Sequence, residues 1–272
     1  MPLTKEIWLN HIVETLFPED SFVEKAFNAD DFVTQGGKVH VPNAAANPEV
    51  VKGPISKPAT ASNLQDTDLD FSIDELYVKP IYIENAEKYE LSYDKRQSVL
   101  QRAKNALSDG IANLLISKWL PTKEEHTFKT KKLTKEDVLA LQTKMNEENI
   151  PQEGRYLLLN ATMYADLLKD LTGAQSNAFL ASADAAKGIL GKLFGFNIML
   201  RSKVVDGEGK PCGLAWHEDY VCRAKGEHEM FIEEQSPEYY GDVFSFLVRV
   251  GGAKMSKDEI GVYKLVIDPS AV

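Results

Sequence analysis

The sequence has 272 residues, 43% of them hydrophobic, with 31 Lys and Arg against 41 Asp and Glu and a formal net charge of −10 at pH 7. This length allows one large domain or two smaller ones, and the hydrophobic fraction is sufficient for a real core. The acidic balance argues against a protein that grips nucleic acid through its phosphates.

The sequence gives no signal for export or membrane insertion. The N-terminus carries charges where a signal peptide needs an apolar run, and no stretch of about 18 apolar residues predicts a transmembrane helix. Only two cysteines occur, Cys212 and Cys222, which is typical of a reducing compartment. We expect buried free thiols, with a disulfide as the weaker alternative.

The first ninety residues change character twice. Residues 4–28 predict a helix, a break at Pro18 and a second short helix, and Gly36-Gly37 predicts a turn before a short strand at 38–42. The following segment, 43–70, contains three prolines and no aromatic residue, so it cannot build a core of its own. It is either disordered or an extended arm that becomes ordered on another chain.

Strand character returns at residues 71–83, which are rich in β-branched and aromatic side chains. Pro80 makes this an edge strand or a kinked one. Together with the strand at 38–42, it predicts a long β-hairpin around the polar segment. This hairpin leads directly into the most regular stretch of the chain.

Residues 92–120 predict an amphipathic helix about 40 Å long, at roughly 1.5 Å per residue. Ser92 can cap its first turn and Pro121 ends it. The apolar positions follow the three- and four-residue spacing of one buried face: Val99, Leu100, Ala103, Ala106, Leu107, Ile111, Leu114 and Leu115.

The rest of the chain mixes helices and strands. A near capping box, Thr134 to Asp137, opens a helix that ends before Pro151. Residues 174–188 are small and polar and predict either a flexible stretch or a weak helix. The other predicted elements are a helix at 161–171, strands at 156–159, 196–202, 215–216, 220–224, 229–233, 243–250 and 263–267, a turn at 206–209 and a chain break at Gly251-Gly252. The fold class predicted is α+β.

Two acidic clusters are candidate sites. Asp66, Asp68 and Asp70 resemble the opening of a calcium loop, but the required glycine and glutamate positions hold Phe71 and Tyr77, which favours a solvated acidic turn. The segment His217-Glu218-Asp219 is the densest titratable cluster, yet it lacks a second histidine, so we interpret it as a surface turn.

The glycine-rich segments give no phosphate-binding motif. Residues 188–192 and 207–210 lack both the Walker spacing and the dinucleotide fingerprint, and we interpret their glycines as turn residues. No Gly-x-Ser-x-Gly elbow is present. The sequence therefore predicts no catalytic residue, no cofactor-binding residue, no metal ligand and no cofactor.

The order of these elements resembles the major capsid proteins of tailed bacteriophages, whose fold is named after phage HK97. Phe71–Ile83 running into Ser92–Leu120 resembles the family's extended loop and spine helix. The passage from Thr134–Pro151 into Gly154–Leu168 resembles its entry into the axial domain, and Gly188–Ile198 resembles its turn of glycines before a strand. These motifs are soft hydrophobic patterns that cover most of residues 30–265, so their specificity comes from their order.

The resemblance implies a division of the chain. Residues 1–30 would form an N-terminal arm and 31–91 an extended loop. Residues 92–153 would form the spine helix and peripheral domain, 154–250 the axial domain with returning peripheral strands, and 251–272 a C-terminal peripheral segment.

The resemblance also implies a function: a non-enzymatic coat protein that self-assembles, as hexamers and pentamers, into an icosahedral shell around double-stranded DNA. A scaffolding protein and a portal would be partners, DNA would be enclosed without sequence-specific binding, and no membrane would be involved. The protein would be assembled in the host cytoplasm and reside in the virion capsid. Lys38, Lys52 and Lys57 lie in or near the loop, but no motif fixes a crosslinking partner and none is predicted.

Two other functions remain open at this stage. One is an encapsulin-like compartment, in which the same fold encloses cargo enzymes. The other is a soluble enzyme that uses the cluster around His217.

Overall fold

The computed structural model describes residues 22–34, 36–43, 67–84, 95–184 and 187–268. Within these ranges the chain forms twelve strands and four α-helices, and the predicted α+β class is confirmed. The strands are β1 (Phe27–Asn28), β2 (Lys38–Asn43), β3 (Thr67–Ser72), β4 (Asp74–Glu84), β5 (Thr127–Thr130), β6 (Arg155–Leu159), β7 (Gly191–Leu193), β8 (Phe196–Leu200), β9 (Cys212–His217), β10 (Val221–Ser236), β11 (Gly241–Lys254) and β12 (Val262–Ile267). The α-helices are α1 (Lys95–Trp119), α2 (Lys135–Glu147), α3 (Ala161–Asp170) and α4 (Gly173–Ala181).

The described strands form three sheets. One has the order β1-β10-β11-β4, the second has the order β5-β12-β9-β6-β8-β7, and β2 and β3 pair alone as a two-stranded ribbon. Strand β4 lies at the edge of its sheet and its pairing with β11 shifts register between Phe244 and Phe246. Both observations agree with the effect expected of Pro80, which has no backbone N–H to donate.

Helix α1 confirms the predicted amphipathic helix. It ends at Trp119, two residues before Pro121, and the predicted cap at Ser92 lies outside the described residues. Ala106 is exposed, so its assignment to the buried face is wrong, because it falls on the opposite side of the helix from the stripe. Among the helix positions whose side chains are described, from residue 101 onward, the buried ones are Ala103, Leu107, Ile111, Ala112, Leu115, Ile116 and Trp119.

The buried stripe of α1 lies in a core shared by two sheets. Phe244 and Phe246 enter it from the four-stranded sheet, and Leu214 and Trp216 enter it from the six-stranded sheet. Trp119 is fully buried, and its indole nitrogen donates a hydrogen bond to the Cys222 carbonyl oxygen at 3.0 Å. Helix α1 is therefore fixed to both sheets by side-chain burial and by hydrogen bonding.

Phe22, Val23 and Ala26 contribute to the same core. The ring of Phe22 meets the rings of Trp119 and Trp216 edge-on at 6.0 and 6.2 Å. The predicted short helix here is wrong. A single 3-10 turn, Phe22–Glu24, is followed by β1, because Phe27 and Asn28 pair in parallel with β10 and that pairing requires extended backbone.

A second core lies on the opposite face of the six-stranded sheet. Leu157 and Leu159 of β6 point into it, while Leu158 points toward α1, as expected for side chains that alternate along a strand. Helices α2, α3 and α4 cover this face. The capping box of Thr134 and Asp137 is confirmed, and the segment after residue 173, left open between a flexible stretch and a weak helix, begins with a helix.

The ribbon of β2 and β3 is anchored by a small third cluster. Val39 and Val41 are buried against Cys222 and Ala224 of β10, which fixes the base of the ribbon to the four-stranded sheet. The two strands pair from Lys38↔Ser72 to Asn43↔Thr67, so strands do pair around the polar segment, but the returning strand is Thr67–Ser72. The predicted pairing with residues 71–83 is wrong, because most of that stretch forms β4, which pairs with β11 instead. Residues 44–66, including most of that segment, lie outside the described residues.

Three predictions on local structure are corrected. The predicted acidic turn is instead strand β3 at Asp70, whose carboxylate lies 2.6 Å from the His40 ring. The strands predicted at 220–224 and 229–233 are one strand, β10, with a register shift between Lys225 and His228. The predicted break at Gly251-Gly252 lies inside β11.

Candidate assembly surface

The densest titratable cluster of the sequence does not form an exposed site. His217 is 2% exposed at the end of β9, its Nδ1 accepts a hydrogen bond from the Asp219 N–H at 3.2 Å, and Tyr220 contacts its ring edge-on at 5.4 Å. Within the described part of the chain, His217 Nε2 has no hydrogen-bond partner. The predicted surface turn is therefore wrong for His217, and its burial gives the enzyme hypothesis no support.

The other candidate residues also have structural roles. Cys212 and Cys222 are free and buried, as predicted, and burial raises the pKa of their thiols to about 12 and about 11. Gly191 lies in β7 rather than in the predicted turn. The Phe179 ring occupies the space where a side chain would start, so packing requires a glycine at this position. Among the described residues, no three His, Cys, Asp or Glu side chains converge as metal ligands. No described helix is long and apolar enough to cross a membrane.

A cleft of about 550 Å³ lies beside strands β5 and β12. Its lining includes Lys129, Lys210 and Lys264, each of which forms an ion pair with a nearby carboxylate. The best buried pair joins Lys264 Nζ to Asp206 Oδ2 at 2.8 Å. Because its lysines are already neutralised, this cleft offers no strong site for an anionic ligand.

The outer face of the four-stranded sheet is unlike the rest of the described surface. Inner side chains such as Phe246 are buried against α1, whereas the alternate positions Tyr77, Tyr82 and Phe231 point outward and are 62%, 55% and 47% exposed. At the tip of the β10–β11 hairpin, Tyr239 stacks on Tyr82 at 5.9 Å. We call these side chains, together with the 79% exposed Tyr240, the aromatic face.

Acidic residues border the aromatic face. The hairpin segment 226–242 contains six Asp and Glu and no Lys or Arg. At the end distant from the tip, Arg249 neutralises Glu75 at 2.9 Å and lies 3.6 Å from Glu227. The hydrogen bond from the Tyr77 hydroxyl, 2.6 Å from Glu75, lowers the pKa of that carboxyl.

At the hairpin tip the charges are not balanced. Glu233, Glu234 and Glu238 are exposed, and none of them forms an ion pair with another described residue. Exposed aromatic side chains on a rigid sheet, bordered by charge, are typical of surfaces that bind proteins. Sequence reasoning missed this surface, although the alternation Leu76-Tyr77-Val78 in an edge strand was a signal for it.

No protein-family model and no curated protein matches the sequence. Solved structures do match it in fold. The capsid of Ralstonia phage GP4 is 14% identical with a TM-score of 0.70, and the match covers 95% of this chain and 92% of that one. The capsid of cyanophage P-SCSP1u is 16% identical with a TM-score of 0.63, and that match covers 92% and 89% of the two chains.

The chain has the fold of phage capsid proteins. A virus-like particle from Pyrococcus furiosus also has this capsid fold, at 16% identity and a TM-score of 0.60, over 96% of this chain and 99% of that one. At these identities the likeness is one of fold. It confirms the capsid fold that the order of elements suggested, and it directs attention to exposed surfaces rather than to the cleft.

Proposed function

We propose that this chain is the major capsid protein of a tailed phage, a structural subunit that self-assembles into the icosahedral shell around double-stranded DNA. The observation that carries the proposal is the extent of the match to the Ralstonia phage GP4 capsid, which spans more than nine-tenths of both chains. With 95% of this chain matched, neither the long helix nor either of the two larger sheets can lie wholly outside the match. A shared core motif alone would cover much less of either chain.

The proposed domain organisation is that of the HK97 fold. Helix α1 is the spine helix and, with the four-stranded sheet, forms the peripheral domain; β10 and β11 are its returning strands. Strands β6 to β9, with α3 and α4, form the axial domain. The ribbon is the base of the extended loop, and residues 1–30 form the N-terminal arm. The packing of α1 against β4, β10 and β11 in one hydrophobic cluster supports the peripheral part of this division.

Assembly proceeds through several modest contacts for each subunit. A single contact of this kind contributes little, but each subunit in a hexamer or pentamer makes several at once, so shell closure is cooperative. Ordering the loop segment 44–66 on a neighbour costs conformational entropy, which burial of its Val50, Val51, Ile55 and Leu64 offsets. A scaffolding protein and a portal act in the host cytoplasm, and the assembled protein resides in the virion.

The test is assembly itself. The full chain is expressed alone and together with its flanking genes, and the product is examined by light scattering after size exclusion and by electron microscopy. We expect closed particles of uniform diameter in at least one of the two preparations. A chain that stays monomeric in both, at every concentration, contradicts the proposal.

A matched variant separates folding from assembly. Replacing residues 44–66 by a short Gly-Ser linker leaves all three described cores intact, so we expect a folded subunit with wild-type circular dichroism and no particles. Normal particles from this variant would refute the role given to the loop.

A second candidate is a compartment that encloses protein cargo, which the likeness to the Pyrococcus furiosus virus-like particle favours. The contents of purified particles distinguish the two. Particles from the native source should contain nuclease-protected DNA if the chain is a phage capsid, and a stoichiometric protein without DNA if it is a compartment.

A further inference from the structure

A second charged surface lies at the start of α2, far along the chain from the acidic hairpin tip. Residues 129–135 include four lysines, and Lys131, Lys132 and Lys135 form no ion pair with a described residue. Lys131 and Lys132 are exposed, and the 45% exposed Leu139 lies one helical turn after Lys135. We call Lys131, Lys132, Lys135 and Leu139 the lysine surface.

The lysine surface is held rigidly. Leu133 is fully buried in the second core, directly between the exposed lysines and the helix. The Thr134 N–H and hydroxyl each lie 2.8 Å from Asp137 Oδ2, and the Lys135 N–H donates to Asp170 Oδ2 at 2.9 Å. The side-chain ammonium groups are therefore presented on fixed backbone, which lowers the entropy lost on binding.

The acidic hairpin tip is held equally well. Glu233 pairs with Val243 and Ser236 with Gly241 across the two strands, and the Gln235 N–H donates to Asp242 Oδ1 at 3.1 Å. The tip thus presents unpaired carboxylates beside Tyr239 and Tyr240 on a fixed frame. Within the described chain, no ion pair joins these glutamates to the lysine surface.

We propose that the acidic, aromatic hairpin tip of one copy binds the lysine surface of an adjacent copy. The inference rests on the proposed capsid function and names two of the faces through which the subunits would meet. The charges are complementary in number and sign: Glu233, Glu234 and Glu238 on one face and the three unpaired lysines on the other. Complementary charge of this kind fixes partner choice and register.

The same charges determine the symmetry of the contact. A two-fold contact would place the acidic tip against the acidic tip of its partner, and like charges at close range oppose that arrangement. Tip against lysine surface is a contact between two different faces, and repeated contacts of that type form a ring when the rotation between neighbours closes. The tyrosine rings bury apolar area against Leu139 and the methylene stems of the lysines, while the charges at the rim supply specificity.

The experiment is a charge exchange in the full chain. Glu233→Lys/Glu234→Lys and Lys131→Glu/Lys132→Glu are made separately and then combined. We expect each separate reversal to lower the yield of particles by about tenfold or more, because shell closure depends on several copies of the contact at once. The combined variant should return the yield to near that of the wild type. A control exchange at exposed positions elsewhere, Glu153→Lys with Lys192→Glu, should leave the yield unchanged.

Each outcome decides the inference. Normal particles from both separate reversals overturn the contact but leave the capsid proposal standing. Loss of particles in the combined variant as well, with every variant folded by circular dichroism, also overturns the contact and assigns the two faces to other partners. Absence of wild-type particles in every preparation refutes the proposed function itself.

A disulfide crosslink tests the same contact if the charge-reversal variants fail to fold. The chain Lys132→Cys/Glu234→Cys is assembled and oxidised, while the native Cys212 and Cys222 stay buried. We expect a ladder of disulfide-linked multimers in denaturing gels. Each single-cysteine variant should give at most a dimer. Monomers alone from the double-cysteine particles would overturn the contact.

Discussion

Glu259 links three parts of the fold through one buried carboxylate. It is 4% exposed and accepts hydrogen bonds from the Thr122 N–H at 2.9 Å, the Lys123 N–H at 2.9 Å and the Lys254 ammonium at 2.8 Å. These donors lie just after α1 and at the end of β11. The residue itself has φ 62°, in the left-handed region that non-glycine residues rarely adopt, so the contacts must offset backbone strain as well.

The contribution of Glu259 to the free energy of unfolding follows from the pKa of its carboxyl. Burial alone would raise the pKa, but the Lys254 ammonium and the backbone donors outweigh burial and lower the pKa of Glu259 from 4.5 to about 2. A carboxylate whose folded pKa is lowered stabilises the fold at pH above its unfolded value. A difference of about 2.5 pKa units corresponds to about 3 kcal/mol at pH 7. We therefore expect Glu259→Gln to lower the free energy of unfolding by about 2 to 4 kcal/mol.

The pH dependence is the sharper test, because the charged contribution is present above about pH 4.5 and is lost as the pH falls toward 2. Urea unfolding of dissociated subunits, followed by tryptophan fluorescence, is measured for wild type and variant at pH 7 and pH 3. The difference between the two proteins should fall to less than half between these pH values. Glu153→Gln, at an exposed position, serves as the control. A loss below about 1 kcal/mol at pH 7, or an equal loss at pH 3, would refute this account of Glu259.

Two further substitutions test packing and capping. In Gly252→Ala the new Cβ would lie 2.6 Å from Leu115 Cδ2, so we expect thermal unfolding to show a free energy of unfolding lower by about 1 to 3 kcal/mol. The control Gly207→Ala, whose new Cβ would have no atom within 4 Å, should change the free energy of unfolding little. Equal effects of the two substitutions would contradict the packing argument. Thr134→Ala removes the acceptor for the Asp137 N–H and should cost about 1 kcal/mol in urea unfolding. A neutral Thr134→Ala would show that the cap does not stabilise α2.

Local patterns predicted the elements whose cause is local. The stripe of α1 lies in residues three and four apart, and the capping box of α2 lies within four residues, so both can be derived from sequence. The chain break predicted at Gly251-Gly252 was wrong because the conformation there is set by contacts distant in sequence. A glycine pair usually marks a break, but here Gly252 allows β11 to approach Leu115 and Trp119, and that approach is set by tertiary packing.

The candidate assembly surface was harder to derive. A catalytic motif fixes residue types at set spacings, whereas the aromatic face joins Tyr77 and Tyr82 of one strand to Phe231 of another through sheet pairing. Sequence analysis found the strands but not their order in the sheet, so it could not place these residues together. The hairpin's six acids were visible in the sequence, and only the structure shows that Glu233, Glu234 and Glu238 at its tip form no ion pair with a described residue.

The pairing of Asn43 with Thr67 imposes an upper limit on distance. The intervening segment of about 23 residues starts and returns at one point, so a path out and back allows at most about 12 residues in each direction. At roughly 3.4 Å per residue, its farthest atom lies within about 40 Å of that pair. The fixed base of the ribbon therefore acts as a tether, and any neighbouring subunit that the segment binds must present its surface inside that radius.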